Sequence, residues 1–144
     1  MRRALRVLTL VLAAAACEDV TVHPAVRSIS APIATPSFSR DIAPILEETC
    51  ASSGACHGGS SPQLGMSLSL GRAYASLVNV PSSTVPGMMR VRPGLPDSSF
   101  MFRVLSTDQT YRLGFYRMPL TEVPMPQPVV ETIRNWILQG ANDN

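Results

Sequence analysis

Residues 50–57 read Cys-Ala-Ser-Ser-Gly-Ala-Cys-His, which places two thiols and an imidazole within eight consecutive residues. His57 follows Cys56 directly, and five residues separate Cys56 from Cys50. Those five are all Ala, Ser or Gly, so they can loop out at little steric cost. The adjacency of Cys56 and His57 is therefore the strict part of the pattern, and the spacing of the two cysteines is the softer part.

Two cysteines followed directly by a histidine form the pattern of c-type haem attachment, which has two residues between the cysteines where this chain has five. In that arrangement both thiols form thioethers with the vinyl groups on one edge of the porphyrin, and the adjacent imidazole ligates the iron. The pattern predicts one haem c, attached through Cys50 and Cys56 and ligated axially by His57.

Two other interpretations of the cysteine pair stay open. In an oxidising compartment, Cys50 and Cys56 can form a disulfide that closes a short loop, in a haemless domain that acts as a surface binding module. A zinc site is the poorer alternative, because two cysteines and one histidine leave the fourth ligand missing. His23 is remote from them in sequence, within a different segment.

Apolar spacing predicts a helix directly before the motif. Ile42, Ile45 and Leu46, followed by Thr49, lie at i, i+3, i+4 and i+7, which is one face of a helix. Pro44 fits only in the first turn, where its missing N–H is harmless. The helix then delivers Cys50 at its carboxyl end.

Three further helices are predicted, separated by irregular segments rich in Pro and Gly. A short one covers residues 73–78, and a second covers residues 98–105 with Asp97 as its cap. The last follows Pro126 and Pro128, ends before Gly140, and has inward residues at helical spacing: Val129, Ile133, Trp136 and Ile137. The predicted fold is mostly α, with several short helices and long loops around one haem.

The amino terminus has the composition of an export signal. Residues 1–6 are basic, residues 7–16 are apolar, and small residues precede Cys17. Ten apolar residues are too few to cross a bilayer of about 30 Å as a helix. We predict a signal peptide over 1–17 with a lipidated Cys17. An ordinary signal peptide with an incidental cysteine and a retained amino-terminal helix are the alternatives.

Residues 18–36 contain three prolines at a spacing that no helix or strand tolerates, so we predict a flexible linker there and one domain over 37–144.

All 12 basic residues are Arg; removal of the signal leaves nine against ten acidic residues, a net charge of −1. This balance excludes an electrostatic nucleic-acid binder and a polybasic membrane-surface protein.

From Ser37 onward the chain resembles a single-haem class I c-type cytochrome domain of the kind found in exported bacterial lipoproteins. The resemblance is carried by an ordered set of short pieces: residues 38–46, Cys56-His57-Gly58-Gly59, Arg92-Pro93-Gly94 with Pro96 and Ser99, Arg117-Met118-Pro119, and residues 133–141.

The resemblance implies that Met118 is the second axial iron ligand, since this family uses a methionine followed by proline before the last helix. Met125, the other methionine before a proline, is the runner-up. Six-coordinate iron leaves no open position, so we expect an electron carrier and not an enzyme, with transient redox partner proteins and no small-molecule substrate. A haem protein with an open site, for catalysis or sensing, is the rival. The expected location is the periplasmic side of a bacterial membrane, held by the lipid anchor.

Several other residues have two interpretations. Arg90, Arg92 and Arg117 suit pairing with haem propionates or a solvated surface. Trp136 is expected to pack the last helix against the first, with its indole N–H hydrogen-bonded. The remaining methionines suit packing: Met66, Met88, Met89 and Met101.

Overall fold

The computed structural model describes residue 26 and residues 29–108, 114–121 and 123–144. The predicted signal peptide, Cys17 and residues 18–25 lie outside the described residues. Regular structure within the described ranges is helical, accompanied by isolated β-bridges and no strand, which confirms the predicted mostly α class.

The first helical segment begins as a π-helix over Phe38–Ile42 and continues as α1 over Ala43–Cys50. Pro44 lies in the first turn of α1, as predicted, and α1 ends at Cys50. A single 3-10 turn over Gln63–Gly65 follows the motif. The short helix α2 covers Ala73–Leu77.

The second half of the domain holds α3 over Phe100–Leu105 and α4 over Gln127–Leu138. A 3-10 turn over Pro96–Ser98 precedes α3, and Ser99 is its N-cap. The prediction of Asp97 as the cap is therefore wrong, because Asp97 belongs to that preceding turn.

The core forms where α4 packs against the first helical segment. Trp136 is almost fully buried, and its ring centroid lies 5.2 Å from that of Phe38. The Trp136 indole donates to the carbonyl of Asn142 at 3.0 Å, so the predicted packing and the predicted partner are both confirmed. Gly140 ends α4 with a φ of +101°, a conformation that glycine adopts without a Cβ penalty.

Part of the predicted linker is packed on α4. The N–H of Ile33 donates to the Thr132 hydroxyl at 3.0 Å, and the Asn135 amide donates to the Ile33 carbonyl at 2.9 Å. Pro36 is buried. Side chains of α4 thus hydrogen-bond the N–H and carbonyl of Ile33, which lies in a proline-rich segment that does not pair its own backbone groups. The packed part of the chain therefore begins upstream of Ser37.

Candidate functional site

Cys50 lies at the carboxyl end of α1, half-buried against the core. Burial raises the pKa of its thiol, a hydrogen-bonding contact with the Thr49 hydroxyl at 3.3 Å opposes this, and the nearby Cys56 adds to the increase. Cys50 is therefore a poorly ionised thiol held by the last turn of the helix.

The five residues between the cysteines loop out into solvent. At the base of this loop, the N–H of His57 donates to the carbonyl of Cys50 at 3.0 Å. Inside it, the N–H of Cys56 donates to the carbonyl of Ser53 at 3.2 Å, and residues 52–56 are exposed. The chain therefore returns to the end of α1 in spite of the longer spacing, and His57 is fixed directly beside Cys50.

Cys56 is exposed, and the Ser53 hydroxyl donates to its sulfur at 3.3 Å. Both Cys50 and Cys56 are free thiols in this structure. The two thiols consequently differ in environment: one is packed on the core and the other faces solvent.

The imidazole of His57 is half-buried. Its Nδ1 is buried and has no hydrogen-bond partner among the described residues. Burial lowers the pKa of His57, backbone groups of Met66 and Gln63 act in the opposite direction, and the positive charge of Arg90 lowers it further. These environments favour a neutral imidazole, which is the form that ligates a metal.

Met118 is half-buried and packs on the edge of the core. Its N–H donates to the carbonyl of Val104 at 2.7 Å, which ties the Met118 segment to α3. Met125 is 6% exposed and belongs to the core itself. The environment of Met125 is that of a packing residue, whereas the Met118 thioether lies at the boundary between core and solvent.

The structure brings the backbones of Cys50 and His57 together at the carboxyl end of α1, with Cys56 in the exposed loop between them. Met118, like Cys50, is a partly buried side chain that packs against the hydrophobic core, which it reaches from a separate segment. Within the described residues, no group of three or more His, Cys, Asp or Glu side chains is placed to hold a metal ion. No helix in the part of the chain that the structure describes is long and apolar enough to span a membrane.

Two of the three arginines named above are engaged with backbone carbonyls. The Arg90 guanidinium donates to Ser76 at 2.8 Å and to Leu64 at 3.0 Å, and Arg117 donates to Thr121 at 2.9 Å. Arg92 is exposed. The sequence does not predict the two hydrogen bonds of Arg90, because their acceptors lie 14 and 26 residues away and no local pattern signals them.

Two open cavities of about 270 and 300 Å³ lie away from the motif. One is formed by residues 29–33 with the start of the first helical segment, and the other lies between α3 and α4. Neither is lined by the two cysteines, His57 or Met118.

Comparisons with models of known protein families, with curated proteins and with solved structures found no match. The functional interpretation therefore depends on the residues and their geometry.

Proposed function

We propose that this chain is an exported, lipid-anchored c-type cytochrome that carries one haem and transfers single electrons between protein partners. The observation that carries the proposal is the hydrogen bond from the His57 N–H to the Cys50 carbonyl at 3.0 Å. This contact closes the five-residue loop at its base, so that the unusual cysteine spacing still brings the backbone of His57 back to Cys50.

The donor set fits a haem c. Cys50 and Cys56 are free thiols that would form the thioethers, and His57 has the environment of a neutral ligand. Met118 would supply a soft, neutral sulfur, which favours reduced iron and raises the reduction potential. When bound, the haem supplies one-electron chemistry through its iron.

Exposed apolar side chains close in sequence to His57 and Met118 also support the proposal. Leu64 is 61% exposed and follows His57 closely in sequence. Tyr116 and Leu120 stand on either side of Met118 and are 83% and 72% exposed. Apolar surface of this kind gains free energy when a flat apolar group removes it from water.

Partner choice follows from the expected six-coordinate iron. His57 and Met118 would both ligate the iron, which would leave no open position on the metal for a substrate. The haem would supply one-electron transfer when bound, and its redox partners would be proteins that dock weakly, in small interfaces. Lipidation at Cys17 would keep the domain at the membrane without spanning it.

The decisive experiment is expression of the full chain in a bacterial host that matures c-type cytochromes. We expect a Soret band and a mass increased by one haem, with both thioethers formed. Purified protein that is colourless, with a mass two hydrogen atoms below that of the reduced chain, would overturn the proposal in favour of the haemless domain with a Cys50–Cys56 disulfide. Carbon monoxide binding to reduced protein at neutral pH would instead support a haem protein with an open site.

Matched variants separate the roles of the three cysteines. Cys50→Ala and Cys56→Ala should each leave at most one thioether, detected as the red-shifted absorption band of a haem that keeps one unreacted vinyl group after denaturation in alkaline pyridine. Cys17→Ser should load haem like the wild type but move from the membrane fraction to the soluble fraction. If the Cys17→Ser substitution by itself caused loss of haem, the assignment of Cys17 to lipidation and of Cys50 and Cys56 to haem attachment would be contradicted.

A further inference from the structure

Arg90 joins four separate segments of the domain. Its guanidinium donates from Nη1 to the carbonyl of Ser76 in α2 at 2.8 Å, and from Nη2 to the carbonyl of Leu64 at 3.0 Å. Its own N–H donates to Val80 at 2.7 Å, and its carbonyl accepts from Met101 at 3.0 Å. The side chain thereby ties the 63–65 turn to α2, while its backbone is fixed between two further segments.

The segment that Arg90 holds is the one that pairs with the motif. The N–H of Gln63 donates to the carbonyl of Cys56 at 2.8 Å, and the N–H of Leu68 donates to the carbonyl of His57 at 2.8 Å. These two bonds fix the backbone on which the second thiol and the imidazole stand. The backbone of Cys56 and His57 is thus hydrogen-bonded to Cys50 on one side and to residues 63–68 on the other.

The 63–65 turn needs an external support. Leu64 has a φ of +55°, the left-handed conformation, in which the Cβ of any residue other than glycine crowds the following carbonyl oxygen. Its side chain is 61% exposed and contributes little packing. The hydrogen bond from Arg90 to its carbonyl is charge-assisted, and such bonds are stronger than those between neutral groups.

We propose that Arg90 is a positioning residue that holds His57 in place through the 63–65 turn. The consequence for the iron rests on the function proposed above, whereas the consequence for the backbone does not. Arginine suits this role because its rigid planar fork directs separate N–H groups at two carbonyls, and a lysine ammonium on a flexible stem does not. This use of both terminal nitrogens also argues against Arg90 as a partner of haem propionates.

The test on the backbone is amide hydrogen exchange in the full chain. Arg90→Met keeps the apolar stem and removes the donors of both charge-assisted bonds, so exchange at Gln63 and Leu68 should become faster by about tenfold or more. The amide of Ile133 in α4 should be unaffected, which separates local opening from general destabilisation. Arg90→Lys should give an intermediate rate.

The control is Arg72→Met, which removes the same charge from an exposed position on the approach to α2. It should leave exchange at Gln63 and Leu68 as in the wild type. Unchanged exchange at these two amides in Arg90→Met, or an equal change in Arg72→Met, would overturn the proposal.

The test at the iron uses the haem-loaded protein. Arg90→Met should raise the high-spin fraction in the visible absorption spectrum, and Arg90→Lys should partly restore the wild-type fraction. Faster exchange without any change at the iron would confine Arg90 to a structural role and overturn the positioning claim. If the wild type holds no haem, the proposed function fails, and the exchange measurement still decides whether Arg90 holds the turn.

Discussion

Gly58 lies directly against the backbone of Ala51, so close that a Cβ on Gly58 would stand 2.1 Å from the Ala51 carbonyl oxygen. Real Cβ atoms essentially never approach an oxygen to that distance. The contact joins the residue after His57 to the residue after Cys50, so the two ends of the exposed loop touch at its base. Glycine at this position is therefore a packing requirement of the motif.

Gly58→Ala should destabilise the domain, because the loop backbone has to move to make room for the methyl group. We expect a loss of about 1–3 kcal/mol in the free energy of unfolding, the usual cost of overpacking. Denaturant unfolding measures the loss. The shift should also disturb the His57–Cys50 hydrogen bond and lower the yield of haem-loaded protein.

Gly54→Ala is the matched control, since it lies in the same loop and a Cβ there meets nothing within 4 Å. Its unfolding free energy should match or slightly exceed that of the wild type, because alanine reduces the freedom of the unfolded chain. Equal stability of Gly58→Ala and Gly54→Ala would show that the loop adjusts freely, contrary to close packing of Gly58 on Ala51.

Local patterns predicted the helices well. The end of α1 at Cys50 and the glycine after α4 follow from apolar spacing, proline position and the need for positive φ, all of which are encoded by neighbouring residues. The cap of α3 was mispredicted because Ser99 is fully buried. Its hydroxyl accepts from the N–H of Arg92 and donates to the carbonyl of Leu95, contacts that no rule for helix starts anticipates.

Long-range hydrogen bonds were beyond sequence reasoning. The Ile33–Thr132 bond joins residues 99 positions apart, and the prolines around Ile33 carry no sign of the helix that receives it. The same holds for Arg90, whose position after Met89 reads as an ordinary surface charge. The motif itself was predicted because its chemistry is contained in eight adjacent residues, while the residues that support it are not.

The hydrogen bond between Ile33, upstream of Ser37, and Thr132 in α4 should contribute to the stability of the folded chain. Thr132 is fully buried, donates to the carbonyl of Pro128 at 2.8 Å and accepts from the N–H of Ile33. Thr132→Val keeps the shape but leaves that N–H without its acceptor, at a cost of about 1–3 kcal/mol. Thermal unfolding of the full chain measures it.

Thr107→Val, at an exposed position, is the control and should change stability by less than about 0.5 kcal/mol. Amide exchange at Ile33 should become faster in Thr132→Val only. If the two variants unfold at the same temperature, residues 29–36 contribute nothing to stability through this contact.

The two thiols should differ in reactivity before haem is attached. The thiolate is the reactive form, and burial raises the pKa of Cys50, whereas Cys56 is exposed. In reduced, haem-free protein at neutral pH, iodoacetamide should modify Cys56 first, and Cys50 should react at a comparable rate only after denaturation. Peptide mapping by mass spectrometry over a time course resolves the two sites.

Thr49→Ala is a useful companion variant, because the Thr49 hydroxyl lowers the pKa of Cys50. Its removal should slow the modification of Cys50 further and leave Cys56 unaffected. Faster modification of Cys50 than of Cys56 in the folded wild type would contradict the burial of the α1 end.

Asp41 should make the stability of the first helical segment sensitive to acid. Burial acts to raise its pKa, but hydrogen bonds from Arg40 and from the Ser37 N–H at 2.8 Å, with the Arg40 charge, outweigh this and lower it below 3.8. A carboxylate whose pKa is lower in the folded state contributes stability that is present above its unfolded pKa and lost as the pH falls through the folded value.

Asp41→Asn should therefore be less stable than the wild type at neutral pH, and the difference in unfolding free energy should shrink as the pH falls below about 4. Urea unfolding at a series of pH values measures both curves. Asp97→Asn, at an exposed position, is the control and should follow the wild-type curve. A difference between Asp41→Asn and the wild type that stays constant down to pH values well below 3.8 would mean that the carboxylate charge does not stabilise the start of this helix.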